Sequence, residues 1–422
     1  MVLAFDLAAP ARTSSLQGSG RPVADGSSDA SRQDVRTEVV DTARYLEVEA
    51  AFRALANDAP EGNAFLEPAL LDAAQRATPD APIVVLLAWD ARQVARLVGA
   101  WAFVRRGRLI RRLHAPAAPF ASLATPVIRA GWAEIVLANW FALIQAHPDL
   151  PKLLELTPAD EGGETGSALD RLVAEGRCLQ RIVARHCRPM LESNLPPNDY
   201  LRGSLSKARR SKLRQLRARL LREGEVRHVR HEGAAVPSAV EQFLALEAKG
   251  WKGRRGSALS ADARDAVFVR EAVTALAKRD LAAVTALTLD SRPISMCLLL
   301  RSGHTAFTWK ITYDEAFGTF SPGYQLAVDD TTALLDDPRL ARTDSCAADA
   351  TGIMSKVWVE LARAAEMFID VRPEGTLCFA LVMAALAVVR LVPELRRRLR
   401  LRSKLNDVLR PVRARFRAAR AS

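Results

Sequence analysis

Histidine and cysteine are scarce in this chain, and those present are poorly spaced for metal chemistry. The six histidines (114, 147, 186, 228, 231 and 304) never sit beside cysteines or carboxylates at ligand spacing; His186-Cys187 and His228 with His231 stand alone. No metal site is expected. The five cysteines (Cys178, Cys187, Cys297, Cys346 and Cys378) are odd in number and contain no close pair. Ahead of them the N-terminus carries Asp6 and only a brief apolar stretch from Val2 to Ala9, without a basic leader. A disulfide framework and export are therefore not expected, and a reducing, cytoplasmic compartment is. No P-loop, no Gly-x-Gly-x-x-Gly after a strand and no Gly-x-Ser-x-Gly elbow occurs, which removes three large enzyme classes. No apolar run reaches the ~20 residues that a spanning helix requires.

What is present is an ordinary globular composition, 49% apolar and 26% charged, over 422 residues. That length predicts two domains rather than one core. The net charge of +12 is unevenly placed: from Arg390 onward twelve basic residues face two acidic ones, leaving about +2 for the rest. Basicity thus belongs to an appendage, and a nucleic-acid partner is not expected. The apolar run Leu377 to Val389 ahead of it is too short to cross a bilayer. With the arginines that follow, it is suited either to peripheral contact with an anionic membrane or to docking on the second domain.

Periodicity divides the remainder. Residues 1–38, rich in Ser, Gly, Ala and Asp, are expected to be disordered. Residues 39–200 read as a mixed α/β domain. Its helices are near Tyr45–Ala56, Phe65–Gln75, Trp132–Ala146 and Ser167–Glu175, and its strands are near Ile83–Ala88, Leu97–Arg105, Leu109–Leu113, Leu153–Leu156 and Gln180–Ala184. A basic helix, Ser204–Glu223, opens a second unit at 201–376. There a helix (Ala261–Arg279), a hairpin (Ala282–Leu289, Ile294–Arg301) and a third strand (His304–Tyr313) lead through a Gly-containing loop to a helix near Pro322. A strand at Arg342–Cys346 and a helix at Met354–Ala365 follow, and residues 377–422 form a basic helical tail.

The stretch Lys310 to Leu326 carries the chemistry. Ser321 is placed as N-cap, Pro322 at the first helical position and Gly323 beside it, so free amides and the helix dipole face outward, where a pyrophosphate can dock. Glu247 and Trp251, four apart on a helix, are candidates to line an acceptor pocket with Glu247 as base. Lys252, Arg254 and Arg255 are candidates for a nucleotide 3′-phosphate or an anionic acceptor.

The ordered set Ser206-Lys207-x-x-Arg210, Glu247-x-x-x-Trp251-Lys252-Gly253, Lys310-x-x-Tyr313-Asp314, Ser321-Pro322-Gly323-x-x-Leu326, then Asp344, Lys356 and Trp358 resembles the GNAT-like acetyltransferase domain of CelD-type proteins. That branch is associated with cellulose and exopolysaccharide biosynthesis and is related to Fem-type aminoacyl transferases. The resemblance covers residues 200 to 365 with some specificity and the first half diffusely. It implies tandem GNAT-like α/β (α+β) domains, each a mixed, mostly antiparallel sheet flanked by helices. It also implies acetyl-CoA or another acyl-CoA as co-substrate and a small-molecule or saccharide acceptor. Lys310, Ser321, Pro322, Gly323 and Lys356 would then serve the donor, and Trp251, Lys252 and Asp344 the acceptor. Tyr313 and Tyr324 are the candidate acids for the departing thiolate. Lys356 is equally a candidate to hold the Asp344 carboxylate. Where relatives carry a Tyr-Lys pair this chain has Ser355-Lys356, so one aromatic hydroxyl is missing. A degenerate scaffold with no catalysis is the alternative.

Overall fold

Apolar alternation in this chain builds strands that join into one sheet. The computed structural model describes residues 34–93, 95–116, 120–348 and 350–387. In the first half β1 (Val35–Val40) leads to α1 (Thr42–Glu47), α2 (Glu49–Asp58) and α3 (Pro68–Ala77). Then come β2 (Ile83–Asp90), β3 (Leu97–Arg106), β4 (Arg112–His114), β5 (Val127–Ile128), α4 (Ala133–Ala146), β6 (Leu153–Asp160), α5 (Gly163–Ala174) and β7 (Leu179–Leu191). Helix α6 (Pro197–Ser204) precedes α7 (Lys207–Leu220), which lies within the expected Ser204–Glu223 helix; Leu205 between them is extended, and Ser206 starts α7 by accepting the Arg209 amide at 3.3 Å.

The second half continues with β8 (Val226–His231), α8 (Val236–Lys249), α9 (Trp251–Arg254), α10 (Ala263–Ala277), β9 (Ala282–Leu289), β10 (Arg292–Ser302), β11 (Thr305–Tyr313), α11 (Pro322–Leu335), β12 (Arg342–Asp344) and β13 (Glu360–Asp370). Asp290 and Ser291 both have positive φ, giving the two-residue turn that suits the twist of the β9–β10 hairpin. Gly303 turns β10 into β11 at φ +52, and a Cβ there would lie 2.0 Å from the Ala56 carbonyl of α2. The halves are thus in close backbone contact.

The strands lie in the order β1-β2-β3-β4-β6-β13-β7-β12-β11-β10-β9-β8, with β5 on β3. Only β4–β6 and β11–β12 are parallel among the described pairs. The antiparallel pair β7–β12 (Leu191 with Thr343, Met190 with Asp344) joins the halves. One buried cluster also spans them, from Phe52 and Leu71 to Phe243, Phe268 and Trp309. The structure thus has the expected mixed, mostly antiparallel architecture flanked by helices.

One element departs from the sequence reading. Met354–Ala365 is not a helix: a 3-10 turn at Met354–Lys356 gives way to β13, which lies between β6 and β7 of the first half. Its run ELARAAEMFID is rich in helix formers, but pairing on both edges outweighs intrinsic propensity. Strand β1 likewise begins at Val35, inside the segment expected to be disordered. Residues 1–33 and 388–422 lie outside the described residues, so the rest of that expectation and most of the tail do too. Residues 377–387 are helical.

Candidate active site

Parallel pairing between β11 and β12 runs only from Thr305/Arg342 to Phe307/Asp344. Beyond it β12 stops and the chain turns away at Cys346, whose φ of +52 is left-handed. Strand β11 continues to Tyr313 with β10 on one edge and, among the described residues, no strand on the other. Between that edge and residues 345–356 opens a cleft of about 660 Å³. A strand edge facing open space offers unpaired amide and carbonyl groups to any extended ligand with amides of its own. The Ile311 carbonyl already accepts from Lys252 Nζ at 3.0 Å, so this edge is addressed from the cleft side.

The first half holds a counterpart that is closed. Strands β4 and β6 pair in parallel at Leu113/Leu154 and His114/Glu155. Past that point residues 120–126 occupy the edge of β6: the Ala124 amide bonds the Pro158 carbonyl at 2.6 Å and the Asp160 amide bonds Thr125 Oγ1 at 2.8 Å. Asn63 and Trp101 pin the segment by donating to the carbonyls of Thr125 (2.7 Å) and Ala124 (2.9 Å).

Lys310 stands half-buried in the open cleft and makes no ion pair among the described residues. Burial, then repulsion from Lys252, holds its ammonium below the ordinary lysine range, against a smaller pull from Glu247. Glu247 is 1% exposed, and both of its oxygens are engaged: Oε1 by Lys252 Nζ at 2.8 Å and Oε2 by the Leu259 amide at 2.8 Å. Its carboxylate therefore anchors Lys252 against β11. Tyr313 and Trp251 also line the cleft, with Trp251 40% exposed and Arg255 stacked 5.1 Å above it.

Helix α11 begins as expected at Pro322 with Ser321 at its N-cap, though the serine does not cap through its side chain. It adopts the left-handed conformation (φ 53) and its hydroxyl caps nothing; its carbonyl instead receives the Tyr324 and Gln325 amides. Gly323 is buried, with Ile353 and Tyr313 packed where a side chain would start, 3.1 and 3.4 Å from an added Cβ. A larger residue would press on both side chains. Tyr324 stands outside the cleft lining and donates to the Lys356 carbonyl at 3.1 Å, while exposed Lys356 lines the cleft mouth. Burial raises the Tyr324 hydroxyl above its ordinary range.

Asp344 is placed differently from the sequence expectation. It is 3% exposed and does not line the cleft; Arg188 Nε on β7 and the Cys346 amide hold it at 2.7 and 2.8 Å. It braces the start of the splay, and among the described residues it makes no pair with Lys356. Trp309 and Cys346 line the cleft without any sequence motif to flag them. Trp309 is 3% exposed and its Nε1 has no partner among the described residues.

The stretch that holds β11 and the start of α11 also matches a known family. Residues 207–337 match the family described as Acetyltransferase (GNAT) domain. The crystal structure of FemX is similar over 80% of this chain and 98% of its own, at 11% identity and a TM-score of 0.54. The C-terminal domain assigned to a lysylphosphatidylglycerol synthetase of Agrobacterium fabrum is similar over 82% and 96%, at 11% identity and a TM-score of 0.50. At such identities the likeness is one of fold. No curated protein matches the sequence significantly.

Proposed function

We propose that the chain is an acyltransferase that moves an acetyl or other acyl group from acyl-CoA to an amine or hydroxyl acceptor. The observation that carries this reading is the free edge of β11 with Lys310 unpaired beside it. The pantetheine amides would extend β11, and the thioester carbonyl would lie near Lys310. The acceptor's nitrogen or oxygen attacks that carbonyl, giving a tetrahedral centre whose oxyanion the Lys310 ammonium and a β11 amide stabilise. Collapse breaks the carbon–sulfur bond, and the thiolate takes a proton from Tyr313, which regains one from solvent. Glu247 serves by fixing Lys252, and the acceptor's proton leaves to water.

The resemblance to CelD-type and Fem-type proteins supports a saccharide or other envelope acceptor, and the exposed apolar helix 377–387 supports work at an anionic membrane surface. Titration calorimetry with acetyl-CoA tests the reading. Saturable binding weakened by Lys310→Ala is the expected result; absence of binding favours a non-catalytic scaffold.

A further inference from the structure

We propose that the first turn of α7, together with Lys356, seats the 3′-phosphate of the donor nucleotide. This rests on the acyl-CoA reading above. Residues 207–222 contain eight basic side chains and no acidic one. Such a helix repels itself, and cations in its first turn oppose the helix dipole. Stability of the helix does not explain the arrangement; a polyanion beside it does.

The cations divide by what they touch. Arg217 reaches Asp329 at 3.1 Å, Arg210 caps the Arg202 and Leu205 carbonyls, and Arg219 lies over the Phe320 ring. Lys207, Arg209, Lys212, Arg214 and Arg222 are exposed and make no ion pair among the described residues; of these Lys207 and Arg209 lie in the first turn, and Arg209 donates to the Lys356 carbonyl at 3.4 Å. That carbonyl also receives the Tyr324 hydroxyl, so the start of α7, the first turn of α11 and the cleft mouth meet at one point. A donor lying along β11 would emerge from the mouth there with its nucleotide end.

The basic residues on the other rim are committed. Lys252 is tied to Glu247 and the Ile311 carbonyl, Arg254 to Glu315 at 2.7 Å, and Arg255 covers Trp251. The 3′-phosphate role that the sequence suggests for them therefore passes to Lys207, Arg209 and Lys356. A ribose phosphate monoester, close to a dianion at neutral pH, can bridge a guanidinium and an ammonium at this rim.

The test compares binding of coenzyme A and 3′-dephospho-coenzyme A to the full chain by calorimetry. The wild type is expected to bind coenzyme A about tenfold tighter, two or three exposed charge contacts being sufficient for that ratio. In Lys207→Ala/Arg209→Ala the ratio is expected to fall to about one, with the dephospho form bound as before, while Arg209→Lys restores part of it. Equal affinity in the wild type, or a ratio that survives the double substitution, overturns the proposal and leaves the acyl-CoA reading standing. If neither nucleotide binds, both fall. Both substituted side chains are exposed, so thermal melting of the variants should match the wild type.

Discussion

Arg188 donates from Nε to Asp344 Oδ2 at 2.7 Å and from Nη2 to Asp160 Oδ1 at 2.6 Å. One guanidinium on β7 thus clamps β6 of the first half and β12 of the second, directly beneath the point where the cleft opens. It is 1% exposed, and its Nη1 finds no partner among the described residues. Replacing Arg188 with Met leaves two carboxylates facing each other without a counter-charge, a change that costs about 3–5 kcal/mol for buried pairs. Urea unfolding should show that loss. The triple variant Arg188→Met/Asp160→Asn/Asp344→Asn should recover a large part of it, since the penalty lies in the stranded charges.

This clamp also shows where sequence stops being informative. The hairpin Ala282–Arg301, strand β11 and the helix at Pro322 were legible because strand alternation, turn residues and Pro at a first helical position are local signals. The partner of Asp344 lies 156 residues away, and nothing near Arg188 marks it. Strand β13 fails for the same reason: its partners are β6 and β7, while its own residues favour a helix. Within the site, Lys310, Tyr313 and Lys252 reach one cleft, whereas Tyr324 and Asp344, from the same motif series, do not line it. Motif order predicts proximity along a fold but not the direction in which a side chain leaves the backbone.

Lys310 is the group whose loss should separate chemistry from folding. It is half-buried and unpaired, so Lys310→Met removes a desolvated charge without stranding a partner, and stability should hold or rise. Activity with an acyl-CoA donor should fall on the order of a hundredfold or more in kcat, the scale of losing one oxyanion contact. Burial holds the ammonium below the ordinary value of 10.5, so wild-type activity should decline as pH rises toward that value, sooner than for an exposed lysine. Steady-state rates followed from neutral pH upward for the wild type measure this.

A second titration belongs to the opposite face of the sheet. His228 Nε2 lies 2.9 Å from Asp330 Oδ1 on α11, and Thr285 donates to the other oxygen at 3.0 Å. Burial pulls the imidazole down, but the Asp330 carboxylate outweighs it and the net direction is upward. A group raised on folding stabilises fully below its unfolded value, about 6.5 for histidine, and loses that contribution as pH rises through its folded value. The difference in unfolding free energy between wild type and His228→Gln should therefore shrink as pH rises from about 6 through neutrality. A difference that is flat with pH would show that the pair does not carry charge.

Helix 377–387, LCFALVMAALA, carries no polar side chain, yet Leu377 is 75% and Leu381 44% exposed. Its start is fixed: the Thr376 hydroxyl bonds Asp370 at 2.6 Å and accepts the Phe379 amide at 3.2 Å. Eleven residues span roughly 16 Å, about half a bilayer core, and among the described residues no helix is long and apolar enough to cross one. Beyond it, residues 390–422 carry twelve basic and two acidic side chains. Apolar insertion combined with attraction worth ~1 kcal/mol per basic residue near an anionic surface predicts co-sedimentation of the full chain with phosphatidylglycerol vesicles, but only weakly with phosphatidylcholine alone. Leu377→Asp/Leu381→Asp should abolish sedimentation without altering the melting temperature, because both side chains face solvent. High salt should weaken it by screening the basic residues. If the double variant sediments as the wild type does, the helix is not the contact and the basic segment acts alone.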